Sequence, residues 1–301
     1  MEANEKSQAA SPRAAMQVVG GAMIAAAATA ALASSAKAQG GTPTDADVLN
    51  FALNLEYLEA EFYLQAAFGR SLSMADSGGT TSATGARKVN FTNAASLQQA
   101  QEIAIDEENH VKFLRSALGS AAVARPTVDL SPAVWTAAAK AAGLIPATDT
   151  TTMFDPYANE LFFLAGAFVF EDVGVTAYKG GARLIANKDF LSAAAGILAV
   201  EAYHAAEIRT LLYRNRTVTA LGRTVEQIVA ALSDLRDSVD GADDKDQGIT
   251  LNGQANIVPT DANALAFSRT TSQVLRIVYL GGASSGGFFP QGLNGTIKTA
   301  T

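Results

Sequence analysis

The sequence predicts an all-α protein: a bundle of four long helices, followed by additional C-terminal helices and a Gly-rich tail. Two observations carry this. Apolar residues recur at spacings of three and four along four segments of more than twenty residues each, the period of a helix that buries one face. No stretch shows the alternating apolar and polar pattern of a half-buried strand.

Each helix has its own start and stop. The first spans residues 44–69, where Thr44 or Asp45 can cap the start and Gly69 can end it, with Leu49, Ala52, Glu56, Glu59 and Tyr63 on one face. Residues 71–90, rich in Ser, Gly, Thr and Ala, read as a long loop. The second helix spans about 92–118, with Ile103, Glu107, His110 and Leu114 facing inward. Ser131-Pro132 opens a short helix through Ala142, a cap followed by proline at the first position. Asp155-Pro156 opens the third long helix in the same manner. It runs to about Tyr178 and stops at Gly180-Gly181, with Leu164, Ala167, Glu171, Gly174 and Tyr178 inward. The fourth spans about 188–214 and faces Ile197, Glu201, His204, Ile208 and Leu211 inward. Residues 225–239 and 261–278 read as helices, 240–259 as a polar loop, and 281–301 as the tail.

Composition narrows the function. With 49% hydrophobic and 17% charged residues, the 301-residue chain is a folded one. The absence of Cys excludes disulfides, thiolate metal sites and cysteine nucleophiles, and the two histidines exclude any three-histidine site. A net charge of −7 without a basic block excludes nucleic acid and anionic membrane surfaces as partners. At the N-terminus, Lys6 and Arg13 precede the uncharged, Ala-rich run 14–33, and Ala36-Lys37-Ala38 offers the small-x-small pattern of a cleavage site. Residues 1–38 are therefore expected to be an export signal, leaving a periplasmic or secreted chain with no stable membrane insertion. Residues 39–216 form the bundle and 217–301 a C-terminal extension, which either packs on the bundle or pairs with a second copy in a homo-oligomer.

Both histidines stand three residues after a glutamate, in Glu107-Glu108-Asn109-His110 and Glu201-Ala202-Tyr203-His204. Three residues is nearly one helical turn, so Glu and His project side by side and offer a mixed O/N donor set to a transition metal. With 13 glutamates in the chain, this coincidence has a chance of roughly 0.2%. The other two long helices each add one Glu to the inner stripe, Glu56 and Glu171. One Glu from each of two helices and Glu-x-x-His from each of the other two is the recipe for a dinuclear carboxylate site in a bundle. The two hairpins also match, because Tyr63 follows Glu56 by seven residues and Tyr178 follows Glu171 by seven.

The metal ligands are therefore expected to be Glu56, Glu107, His110, Glu171, Glu201 and His204, around two divalent ions, iron or manganese. The bland alternative is a metal-free apolar bundle, in which four buried carboxylates would repel one another without a cation. Glu59, Tyr63 and Tyr178 are candidates for catalytic roles. Glu59 is a further ligand, a proton donor or a rim residue, and Gly174 in the matching place of the other hairpin leaves room for it. The tyrosines are redox-active, hydrogen-bonding or simply core. Asp106 and Glu207 are candidates to accept the free N–H of a ligating His, whereas Glu61, Glu102 and Glu108 fall off the stripes and are expected in solvent.

These motifs resemble the ferritin-like superfamily of ferritins, bacterioferritins, rubrerythrins and manganese catalases. The run from Asn50 to Tyr63 is similar to the opening helix of the exported ferritin-like domain family, which includes plant desiccation-related proteins. Phe267-Ser268-Arg269-Thr270, the segment from Val274 to Tyr279, and Gly286-Gly287-Phe288-Phe289-Pro290 resemble that family's C-terminal part. The resemblance covers about residues 45–295 and implies a ferritin-like four-helix bundle with a di-metal centre, in which Glu107 and Glu201 bridge the ions. It implies an oxidoreductase acting on a small oxidant, peroxide or O2, in stress or desiccation protection. The alternative is a non-catalytic metal-binding or structural protective protein, and the ligand residues fit both.

Overall fold

The computed structural model describes residues 42–79 and 83–301, so the expected export signal, 1–38, lies outside the described residues. The described chain is built from eight α-helices, with three ladders of two-residue strands as its only sheet structure.

Two helical hairpins make the bundle: α1 (Asp45–Phe68) packs on α3 (Ala94–Leu118), and α5 (Glu160–Ala182) on α6 (Lys188–Arg214). Thr44 and Asp47 form a capping box that starts α1, and Gly69, at φ 71°, ends it in the left-handed conformation that a side chain would disfavour. Asn93, Asn159 and Asn187 cap the other three with side-chain carbonyls that accept backbone N–H groups. First-turn carboxylates then tie the hairpins together. Asp45 accepts from the backbone N–H groups of Ala186 and Asn187, at 2.7 and 2.9 Å, just ahead of α6. At the opposite end, Glu160 accepts from the backbone N–H groups of Thr92 and Asn93 at the start of α3. Helix α5 is long and apolar enough to cross a membrane, but most of it is buried among its neighbours, which accounts for its composition.

The extension packs on the bundle. Helices α7 (Val225–Asp240) and α8 (Thr271–Val278) both lie against α5. A buried ionic network fastens them. Asp172 of α5 accepts from Arg209 of α6 at 2.8 Å and from Arg236 of α7 at 3.0 Å. Arg269 donates to Asp240 at 2.6 Å, to Thr176 at 2.9 Å, and to Asp246. Phe288 from the tail inserts between Trp135 of α4 (Pro132–Ala141) and Phe170, with ring centroids 4.8 and 5.0 Å away.

Several elements differ from the sequence expectation. Residues 71–90 hold a short helix, α2 (Met74–Ser77), and a strand, β1 (Ala83–Thr84), which pairs in parallel with β2 (Val128–Asp129). Residues 218–224 and 250–255 form hairpins, β3 (Thr219–Ala220) with β4 (Arg223–Thr224) and β5 (Thr250–Leu251) with β6 (Gln254–Ala255). Helix α5 starts at Glu160 rather than Pro156, because Asp155 closes a turn on Tyr157 and Asn159 supplies the cap. It also runs through Gly180-Gly181 instead of stopping there. Gly180 allows a close approach: a Cβ on it would overlap the carbonyl oxygen of Arg269, whose N–H donates to Thr176 O at 3.0 Å. Residues 261–270 are not helical. The Asp261 side chain accepts from Asn263 and Leu265 N–H groups in a loop, and α8 begins only at the Thr270–Gln273 capping box. Glu61 and Glu108 are buried rather than solvated. Glu61 pairs with Arg125, and Glu108 takes a two-pronged contact from Arg70 at 2.8 and 3.1 Å. Glu102 is exposed.

Gly180→Ala is expected to lower unfolding free energy by about 3 kcal/mol, because the methyl must push the 266–269 strap off α5. Gly196→Ala, at an exposed position of α6 with nothing nearby, should raise it by about 0.5–1 kcal/mol. Denaturant titration of both variants measures the opposite signs.

Candidate metal centre

The six Glu and His residues of the inner stripes meet in the middle of the bundle. Helix α1 brings Glu56, α3 brings Glu107 and His110, α5 brings Glu171, and α6 brings Glu201 and His204. All are buried, the most exposed being His110 at 8%. They form two overlapping groups, Glu56, Glu107, His110 and Glu201, and Glu107, Glu171, Glu201 and His204, with donor atoms inside each group within 4.8 Å of one another. Glu107 and Glu201, the glutamates of the two Glu-x-x-His units, belong to both. His110 Nδ1 lies 3.2 Å from Glu56, 3.3 Å from Glu107 and 3.4 Å from Glu201. His204 Nδ1 lies 3.0 Å from Glu107 and 3.6 Å from Glu171. Its other nitrogen faces Asp106 at 3.4 Å, which leaves Nδ1 directed at the cluster, and Glu207 does not take that place.

Donors here are scarce. One oxygen each of Glu107, Glu171 and Glu201 meets only an imidazole nitrogen, at 3.0, 3.6 and 3.4 Å, and the other Glu201 oxygen is buried with no hydrogen bond. Buried carboxylates that converge with so few donors form a set that suits a cation. A third acidic group, Asp237, Asp240 and Asp246, makes the contrast. There Arg236 and Arg269 lie in ion-pair contact with Asp246 and Asp240, so arginines already offset much of the charge. No Arg or Lys ion pair reaches Glu56, Glu107, Glu171 or Glu201 among the described residues.

The tyrosines cross between hairpins. Tyr63 of α1 donates its hydroxyl to Glu171 of α5, and Tyr178 of α5 donates to Glu56 of α1, so each holds the glutamate of the opposite hairpin. Glu59, 4% exposed, reaches the same core from α1. It faces Gly174, where a Cβ would overlap a Glu201 oxygen and press on Glu59.

The ferritin-like domain profile matches residues 44–214, which takes in all four bundle helices. The chain belongs to the ferritin-like family. Two curated ferritin-like relatives extend the match past the bundle. The chain is 33% identical to the desiccation-related protein PCC13-62 of Craterostigma plantagineum, over 77% of this chain and 76% of that protein. It is 30% identical to the ferritin-like catalase Nec2 of Nesocodon mauritianus, over 84% of each chain.

Electrostatics show what this ferritin-like core does without a cation. Burial drives the Glu56 carboxyl up to about 7 despite His110 beside it. Burial, then Glu201 and Glu107, push Glu59 well above the carboxylate range. Burial raises Glu171 and, together with Glu107, raises Glu201 strongly. Burial also acts on Glu107, but the imidazoles of His110 and His204 outweigh it and hold this carboxyl low. Burial opposes charge on both histidines, yet the surrounding carboxylates raise them, led by Glu56 for His110 and Glu171 for His204. Metal binding here would displace protons, since ligands bind as carboxylate and neutral imidazole.

Sequence reasoning missed the Asp172 network and the crossing of the tyrosine bonds. Asp172 beside Glu171 in an apolar helix was the available sign of a buried ion pair; nothing in the spacing shows which hairpin a tyrosine reaches.

Two outcomes follow. Metal-free protein should melt at lower temperature as pH rises from about 5 to about 8. Four carboxyls and both histidines are raised in the fold, so their stabilisation is complete below their unfolded values, 4.5 for Glu and 6.5 for His, and fades as pH climbs through the folded ones. Glu107 alone has the opposite sign. Metal loading should abolish or invert the slope, as read by calorimetry of both forms. Gly174→Ala should weaken metal affinity by about 10–100-fold, by displacing Glu201, as read by competition with a chelator.

Proposed function

We propose that this chain is an exported di-metal carboxylate oxidoreductase acting on peroxide or O2, with iron or manganese as its two ions, in stress or desiccation protection. The observation that carries the reading is the pair of overlapping donor groups that share Glu107 and Glu201. In this assignment Glu56 and His110 would help hold one ion and Glu171 and His204 the other, with Glu107 and Glu201 available to both. Glu and His donors suit iron and manganese alike. A pair of such ions supplies the change in oxidation state by which two hydrogen peroxide molecules become two waters and one O2, a balance that needs no outside electron donor.

The chain's own residues do the rest. Glu59, buried beside the centre and facing Gly174 and Glu201, is placed to give up or take back a proton there. Tyr63 and Tyr178 orient Glu171 and Glu56 through their hydroxyls. The apolar bundle excludes water. The likeness to a protein named as a ferritin-like catalase supports peroxide chemistry, and the likeness to a desiccation-related protein supports the stress setting. Export is supported by Lys6, Arg13, the 14–33 run and Ala36-Lys37-Ala38. The second reading, a non-catalytic metal-binding protective protein, fits the same ligand residues and draws on the desiccation-related likeness.

Elemental analysis and peroxide-dependent oxygen evolution on one sample separate the readings. Two ions per chain with oxygen release is the expected result; two ions without turnover in either peroxide or O2 would favour the protective role. Glu107→Ala should lose both ions. Glu59→Gln should keep both and slow turnover by about 10²–10⁴-fold.

A further inference from the structure

A cavity of about 20 Å³ lies against Glu59. Val173 and Gly174 of α5 line one side, and Ile277 and Val278 of α8 with Phe288 of the tail line another. Glu59 is the only ionisable side chain on its walls. Gly174 on the cavity wall also adjoins the carboxylate core, because a Cβ there would overlap a Glu201 oxygen and press on Glu59. Glu59 thus stands between the cavity and the six-residue cluster.

The outer wall is built from the C-terminal extension, and it is rigid. The Phe288 N–H donates to Val278 O at 3.0 Å, and the Asp129 N–H donates to Phe288 O at 2.9 Å. The Phe288 ring is wedged against Trp135 and Phe170. Ile277 and Val278 are each 4% exposed. A fixed wall selects by size, and a cavity this small has room for about one or two heavy atoms. An apolar lining also rejects ions, which would lose their hydration on entering.

We infer that this cavity receives a neutral oxidant of two heavy atoms beside Glu59, and that Ile277 and Val278 of the C-terminal extension set its size limit. The inference rests on the oxidoreductase reading and adds to it a size limit, with the residues that set it: organic hydroperoxides are excluded. It also gives the extension a role in selection as well as in packing.

The test has two arms on the full-length protein. In the first, metal-free protein is placed under O2 pressure and methyl relaxation is followed by NMR. The methyls of Val173, Ile277 and Val278 should relax faster than those of Leu212 and Val229, which are fully buried elsewhere. In the second, metal-loaded wild type, Ile277→Ala and Val278→Ile are compared for kcat/KM with hydrogen peroxide and tert-butyl hydroperoxide. Ile277→Ala should shift the ratio toward the larger peroxide by about tenfold or more, and the milder Val278→Ile should shift it the other way. Uniform methyl relaxation would overturn the inference. So would unchanged ratios in both variants at wild-type metal content. Selective relaxation in a loaded protein that turns over neither oxidant would sink the oxidoreductase reading and leave the cavity assignment standing.

Discussion

Glu56, Glu59, Glu107, Glu171 and Glu201 sit side by side in the middle of four helices, each 4% exposed or less. Carboxylates at that density cannot all ionise in a medium that solvates them poorly, and leaving them unpaired costs several kcal/mol per charge. The available basic partners are two imidazoles shared among these carboxylates, and they do not suffice: Glu201 keeps a buried oxygen with no hydrogen bond. The helix caps, the tyrosine bonds and the Asp45 and Glu160 ties all serve to hold this unfavourable concentration of charge in place. A cation is the natural relief, and protons are the substitute when it is absent.

The second buried ionic system solves the same difficulty by a different route. Asp172, one residue from Glu171, faces away from the centre and is neutralised by Arg209 and Arg236. Adjacent carboxylates on one helix thus meet opposite fates, one kept short of a side-chain cation and one saturated with them. The extension after the bundle supplies Arg236 and Arg269, so it locks α5 from outside without touching the inner ligands. Gly180 lets that lock close, because the strap crosses α5 backbone to backbone.

The four long helices, their inner stripes and the two Glu-x-x-His units were legible because each depends on local spacing, and local spacing is what a sequence displays. For that reason Ser131-Pro132 opens α4 as its cap-and-proline pattern indicates. What escaped depends on contacts between distant segments. Gly180-Gly181 has the look of a helix stop, and only the approach of Arg269 shows why the helix continues. Glu61 and Glu108 lie off the inner stripe, yet Arg125 and Arg70 bury them from loops whose path no periodicity reveals. The helix expected from Asp261 begins only at the Thr270–Gln273 capping box, because Asp261 spends its side chain on a loop.

The sharing of Glu107 and Glu201 between the two donor groups bears on exchange kinetics. Each group takes three residues from one hairpin and one from the other, so neither hairpin holds a complete set. A cation there could not leave by the swing of one side chain. Departure would require α1 and α3 to part from α5 and α6, against the crossed tyrosine bonds as well. Its residence time would then follow the rate at which the bundle opens as a whole, so that exchange with the surroundings becomes a clock for global opening rather than a gauge of ligand strength.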